Sequence, residues 1–184
     1  MVTKMEALGM LELSSIAVAF QVQDTMLKAA DVQLLVARTI CSGKYIVMVG
    51  GDVAAVESSV REGKRVSREA LIDELVIPNV DARVFPAISG GVTLDDGDRD
   101  ALGILEAFSV TSIIEGADAA VKAARVKLFR IHVAMAIGGK GFLMLTGEVS
   151  EVNAAIEAGA KEIAKRGLLV SKVVIPRPEE RLYR

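Results

Sequence analysis

The chain has no tryptophan, one cysteine, one histidine and only four prolines among its 184 residues, and aromatic side chains make up 4% of it. A single cysteine excludes an intrachain disulfide and fits a reducing, cytoplasmic setting. His132 has no second imidazole in the chain with which to share a metal, so it reads as a packing residue. No apolar run approaches the roughly twenty residues needed to span a bilayer. Charged Lys4 and Glu6 come early, and no long apolar stretch follows a basic start, so no signal peptide and no membrane partner are expected. A net charge of -2, from 22 basic and 24 acidic residues, excludes the basic footprint of a nucleic-acid-binding protein.

What remains is apolar and small. Hydrophobic residues form 52% of the sequence, and the mean hydropathy of +0.42 is high for a soluble chain of this size. Such a surplus points to apolar surface buried between subunits, because obligate interfaces resemble a core cut in half.

The strongest signal is an internal repeat. ALGMLELSSI at 7–16 returns as ALGILEAFSV at 101–110, and DTMLKAADVQL at 24–34 returns as DAAVKAARVKL at 118–128. GKYIVMVGGDVAAVESSVREG from Gly43 matches GKGFLMLTGEVSEVNAAIEAG from Gly139, and LIDELVIPN at 71–79 matches LLVSKVVIPR at 168–177. The unit is therefore duplicated whole, with small insertions near 136–139 and before Leu168.

Each unit reads β-α-β-β-α-β. The predicted strands of the first copy are 6–13, 34–40, 45–49 and 75–77, the last stopped by Pro78. A helix over 19–30 follows from the helical spacing of Val22, Met26, Leu27 and Ala30. Gly50 and Gly51 lead into a second helix with Asp52 as its N-cap and Val53, Val56 and Val60 on its apolar face. The second copy predicts strands at 102–107, 128–134, 142–145 and 169–175, and helices at 113–124 and 149–165. Residues 80–100, Pro/Gly-bearing and then acidic, read as a loop or short excursion. The expected fold is α+β: two tandem units, 5–80 and 99–184, joined by a linker over 81–98, each an antiparallel sheet with helices on one side.

No catalytic constellation stands out. Glu12 and Glu106 recur at one repeat position without a His, Ser or carboxylate partner, and read as surface or interface charge. Gly50, Gly51 and Asp52, like Gly138, Gly139 and Lys140, lack the spacing of a phosphate-binding loop. Cys41 has two readings: a small buried hydrophobe at a strand end, or, on a loop beside a three-fold axis, one of three thiolates in a soft set for iron–sulfur or zinc. Lys28 and Lys122 share a repeat position, which favours a repeated lateral contact over simple solvation.

The segments ALGMLELSSIA, DTMLKAADVQLL, TICSGKYIVMVGGDVAAV, VFPAISG and VVIPRPEE resemble tandem-domain bacterial microcompartment shell proteins over nearly the whole chain, best of all their propanediol-utilisation branch. The resemblance implies a homotrimer of two-domain chains that forms a flat pseudohexamer and meets other microcompartment shell proteins at its edges. It implies edge contacts by Lys28, Lys122 and Arg177, the first copy having Asn79 at the position of Arg177. It implies a central pore lined by Thr39, Ile40, Cys41, Ser42, Gly43 and Lys44 and by Ala136, Ile137, Gly138, Gly139 and Lys140. In that branch the loop cysteine, often within Cys-Pro-Gly-Lys, gives one ligand per chain to a [4Fe–4S] cluster; Cys41 takes that position and Ser42 stands in place of the proline.

The function so implied is a non-enzymatic tile of the microcompartment shell, within the cytoplasm. Its [4Fe–4S] cluster, shared by three chains, is expected to pass electrons across the shell or to deliver a cluster, with an encapsulated or cytosolic redox enzyme as partner. The alternative is the same tile with a pore that conducts or gates small metabolites and holds no metal. A small-molecule sensor or enzyme is the weakest reading, since no convergent polar set supports it.

Overall fold

The computed structural model describes residues 5–133 and 138–183. The chain divides into two compact units, 1–80 and 81–184.

In the first unit β1 (Ala7–Leu13) leads through Ser15 into α1 (Ile16–Ala29), followed by β2 (Gln33–Ile40). A 3₁₀ turn, Cys41–Gly43, joins β2 to β3 (Lys44–Gly51); α2 (Val53–Ser67) and β4 (Leu71–Ile77) complete the unit. The sheet order is β2-β3-β1-β4, antiparallel throughout, with Ala7 opposite Gly51 and Met10 opposite Met48.

The helices begin and the strands end where the backbone groups find partners. The Ser15 hydroxyl accepts from the Val18 amide, so α1 starts three residues earlier than apolar spacing indicated. Gly50 and Gly51 continue the β3 ladder opposite Leu8 and Ala7 and do not open α2. Asp52 is the N-cap of α2, its carboxylate accepting from the Ala55 amide at 2.9 Å. The helical layer is pinned by Ala7, Leu11 and Leu13 of β1, Val47 and Val49 of β3, Val22 and Met26 of α1, and Val56 and Val60 of α2. Leu27 and Ala30, expected on the buried stripe of α1, lie outside it.

In the second unit a short helix, α3 (Val84–Ser89), precedes β5 (Ala101–Ala107), α4 (Val110–Ala123) and β6 (Lys127–Val133). Then come β7 (Gly141–Gly147), α5 (Val149–Ala164) and β8 (Leu169–Ile175), and the sheet order is β6-β7-β5-β8. The duplication extends to irregularities that spacing cannot show. Register shifts between Leu34 and Val36 and between Glu12 and Leu13 recur between Leu128 and Arg130 and between Glu106 and Ala107.

Residues 84–89 are helical because a helix start bonded to Asp81 and a Gly90 end at φ 71° close one short turn, which packs on β6 and α4. Val92 and Leu94, with Tyr183 near the C-terminus, pack against Leu102, Phe129 and Met144. Gly103 faces α5, where an added Cβ would meet Ile156 at 2.8 Å and Val152 at 2.9 Å. By strand alternation Leu102 therefore lies on the opposite face of the sheet. Among the described residues no helix is long and apolar enough to cross a membrane.

Candidate functional site

Both units present the same feature, a hairpin loop between the second and third strands with a lysine at its exit. In the first unit the loop turns through two consecutive left-handed residues, Ser42 at φ 66° and Gly43 at φ 71°. Gly43 adopts this conformation without penalty, whereas in Ser42 it costs on the order of 1–2 kcal/mol. Proline is confined to φ near −65°, so a Cys-Pro-Gly-Lys sequence cannot follow this path. In the second unit Gly138 (φ 66°) and Gly139 (φ 84°) make the equivalent pair. Ala136 and Ile137 lie outside the described residues.

The lysine at each loop exit is tied to the next-to-last residue, a glutamate, of the first strand of its unit. Lys44 Nζ donates to Glu12 Oε1 at 2.8 Å, and Lys140 Nζ donates to Glu106 Oε1. Glu12 is only 5% exposed, so this is a buried carboxylate held by a half-buried ammonium. The expectation of a surface or interface charge is corrected for Glu12, which is buried, while Glu106 stays partly exposed; in both units antiparallel pairing of the first and third strands brings the glutamate beside the lysine that follows the loop. The signal was present in the sequence, since both partners recur at fixed positions in both copies, but only the strand register shows that they meet.

Cys41 sits half-buried on the first loop and forms no disulfide. Among the described residues no three His, Cys, Asp or Glu side chains gather where they could hold a metal ion. This overturns the expected [4Fe–4S] cluster and, with it, electron transfer and cluster delivery. The physical reasons converge. The chain offers one thiolate, around which the described residues gather no ligand set, and the Lys44 ammonium at the exit of the same loop is already committed to Glu12. Moreover, the turn differs from the proline-containing loop in which the ligation was expected. His132 stacks on Phe142 at a ring distance of 5.0 Å, a packing contact.

The other singled-out residues lie away from the loops. Lys28 bonds Asp24 at 2.8 Å and Lys122 bonds Asp118 at 2.6 Å, each one turn apart near the end of its helix. Arg177 is exposed just past β8.

A duplicated β-α-β-β-α-β unit with paired hairpin loops defines a tandem-repeat protein. The model of the BMC domain matches residues 7–80 and again 101–178, and the chain belongs to the BMC-domain family. It is 47% identical over 179 residues to the bacterial microcompartment shell protein PduT of Citrobacter freundii, with 97% of this chain and 96% of that protein covered. The shell protein EutM of Salmonella typhimurium is 46% identical over 79 residues, covering 43% of this chain and 80% of its own length. The crystal structure of a microcompartment protein from Desulfitobacterium hafniense DCB superposes with a TM-score of 0.92 at 46% identity, covering 97% of this chain and 98% of that one. The family places the chain in the shell of a bacterial microcompartment, within the cytoplasm, as a structural subunit that assembles with other shell proteins and not as an enzyme.

Proposed function

We propose that this chain is a pore-bearing shell tile: three copies close into a ring of six units, and the ring passes or gates small metabolites without a metal centre. On this reading domain 1 is 5–80, the linker 81–98 and domain 2 99–184. The loops Thr39–Lys44 and 136–140 line the axial opening. Lys28, Lys122 and Arg177 lie at the tile edge, where they meet neighbouring shell proteins.

The observation that carries the reading is the repeated loop itself. Both units place a two-residue left-handed turn at the same end of the sheet, each with its lysine neutralised by a glutamate from the neighbouring strand. A ring of such loops offers short polar side chains and backbone groups to a passing solute while its fixed charges are paired. Selectivity then rests on width and hydrogen bonding more than on a field of one sign.

Native mass spectrometry of the full chain tests the ring, with a trimer as the expected mass. The pore is tested in shells assembled with Cys41→Ser or Cys41→Trp tiles, by comparing turnover of an enclosed enzyme with that of the released enzyme. Cys41→Ser leaves flux unchanged, whereas the bulky Cys41→Trp narrows the opening and slows it severalfold. Equal flux through wild-type and Cys41→Trp shells overturns the pore role, and a monomer at all concentrations overturns the ring.

A further inference from the structure

The last strands of the two units match, and the match continues into the phrase of residues that follows each of them. Asp81, Arg83, Val84 and Phe85 follow Ile77 at the same distances at which Glu179, Arg181, Leu182 and Tyr183 follow Ile175. They also fold alike. Arg83 donates from its backbone N and from Nε to Asp81 Oδ1 at 3.0 and 2.8 Å; Arg181 donates from the same two groups to Glu179, both at 2.9 Å. The Val84 amide donates to the Asp81 carbonyl at 3.0 Å, and the Leu182 amide to the Glu179 carbonyl at 3.0 Å.

The first phrase is engaged. The Arg83 guanidinium donates to the carbonyls of Val121 and Val126, at and just beyond the end of α4. The Asp81 amide donates to Asp118 Oδ1 at 2.8 Å, while Lys122 takes Oδ2 of the same carboxylate. Val84 is fully buried. The second phrase is formed but unengaged. Tyr183 holds it to its own unit, its ring 5.9 Å from that of Phe129 and its hydroxyl donating to the Asp100 carbonyl. Leu182 is left 47% exposed, and Arg181 is exposed with its guanidinium bonded only to Glu179 among the described residues.

The first unit carries the complementary face, equally unoccupied. Asp24, Leu27, Val32 and Leu34 are the repeat counterparts of Asp118, Val121, Val126 and Leu128. The two helix ends have the same shape, the Val32 amide donating to Ala30 at 3.0 Å and the Val126 amide to Ala124 at 3.1 Å. Leu27 is 37% exposed where Val121 is 1%, and Leu34 is 38% exposed where Leu128 is 2%. Asp24 is bonded by Lys28 through Oδ2.

We infer that Glu179–Tyr183 of one chain docks on the α1–β2 face of a second copy, repeating between chains what 81–85 makes on α4 and β6. Arg181 donates to the Leu27 and Val32 carbonyls, the Glu179 amide donates to Asp24 Oδ1, and Leu182 covers Leu27 and Leu34. A guanidinium at the C-terminal end of a helix meets carbonyls that have no helical donor and the negative pole of the helix. The two faces differ, so the contact is head-to-tail, and such contacts close into rings when the rotation allows. The inference rests on the ring proposed above and names the contact that closes it.

Sedimentation of the full chain across a concentration series tests it, with Arg181→Ala and Leu182→Asp on the tail and Arg177→Ala as a control beside it. Each tail variant weakens assembly about tenfold or more, the loss expected when a charged hydrogen bond or a buried leucine is removed; the control assembles as wild type. A second measurement bypasses any folding defect. Leu182→Cys chains mixed with Leu34→Cys chains, both in a Cys41→Ala background, form covalent dimers on mild oxidation. Wild-type assembly with unchanged affinity in both tail variants and no cross-link overturns the docking contact and leaves the ring standing. A wild-type monomer at every concentration overturns both.

Discussion

The helices α1 and α4 are copies of one segment with different fates. Each is 14 residues long, each is capped by a serine accepting at 3.4 Å, and each ends in Lys-Ala with a second alanine as its C-cap. Three residues of α1 are buried, against ten of α4. Part of the difference arises at the C-terminal end, where α4 receives α3 and the Asp81–Arg83 clamp. Capping and apolar spacing set where a helix starts and which stripe it buries. They do not set how much of the rest is covered, which depends on segments distant in sequence.

The helix crossings give the sharpest way to break the comparison. A Cβ at Gly159 would lie 2.7 Å from the Gly116 carbonyl oxygen of α4, a backbone atom that cannot move alone. At the equivalent Gly63 the nearest atoms include the flexible side chain of Met26, at 2.5 and 3.0 Å. Gly159→Ala is expected to destabilise by about 3 kcal/mol and Gly63→Ala by about 1 kcal/mol or less, since methionine repacks and alanine regains helix propensity. Equal losses in urea denaturation would refute the distinction.

The loop-exit lysines come next. The Glu12 side chain is 7% exposed and that of Glu106 is 32%. Lys44→Met strands a buried carboxylate and costs about 2–3 kcal/mol, while Lys140→Met leaves a hydrated one and costs about 1 kcal/mol or less. Thermal unfolding of the two variants measures the gap, and a larger loss for Lys140→Met would reverse the reading.

The smallest effect belongs to the clamp. The Arg83 guanidinium beside Asp81 holds its carboxyl down to about 2, from an ordinary 3.8. A depressed carboxylate contributes stability above its unfolded value, and that contribution fades as pH falls from about 4 through about 2. The Arg83 side chain is 43% exposed, so solvent screening leaves on the order of 1 kcal/mol or less. Asp81→Asn should flatten the acid side of the stability profile in that window; an unchanged slope would remove the clamp as its source.

The duplicated unit, the element order and the helix-over-sheet arrangement were legible because two near-copies of one apolar pattern constrain each other. Boundaries missed by a few residues had local causes. Ser15 caps α1 earlier than spacing showed, and Gly50 and Gly51 favour the ladder over the helix. The loop was placed correctly in the chain, but its chemistry was not. Cys41 drew a metal assignment from resemblance, whereas the described residues gather no ligand set around it and Lys44 is committed to Glu12.

Composition, duplication and apolar periodicity thus dictated two antiparallel units of one design, because hydrophobic spacing and capping act within a few residues. The tie of Lys44 to Glu12, the left-handed path of Ser42 and the engagement of one closing phrase but not the other were beyond their reach. Each depends on strand register or on surfaces tens of residues apart in the chain, and only folding sets those distances.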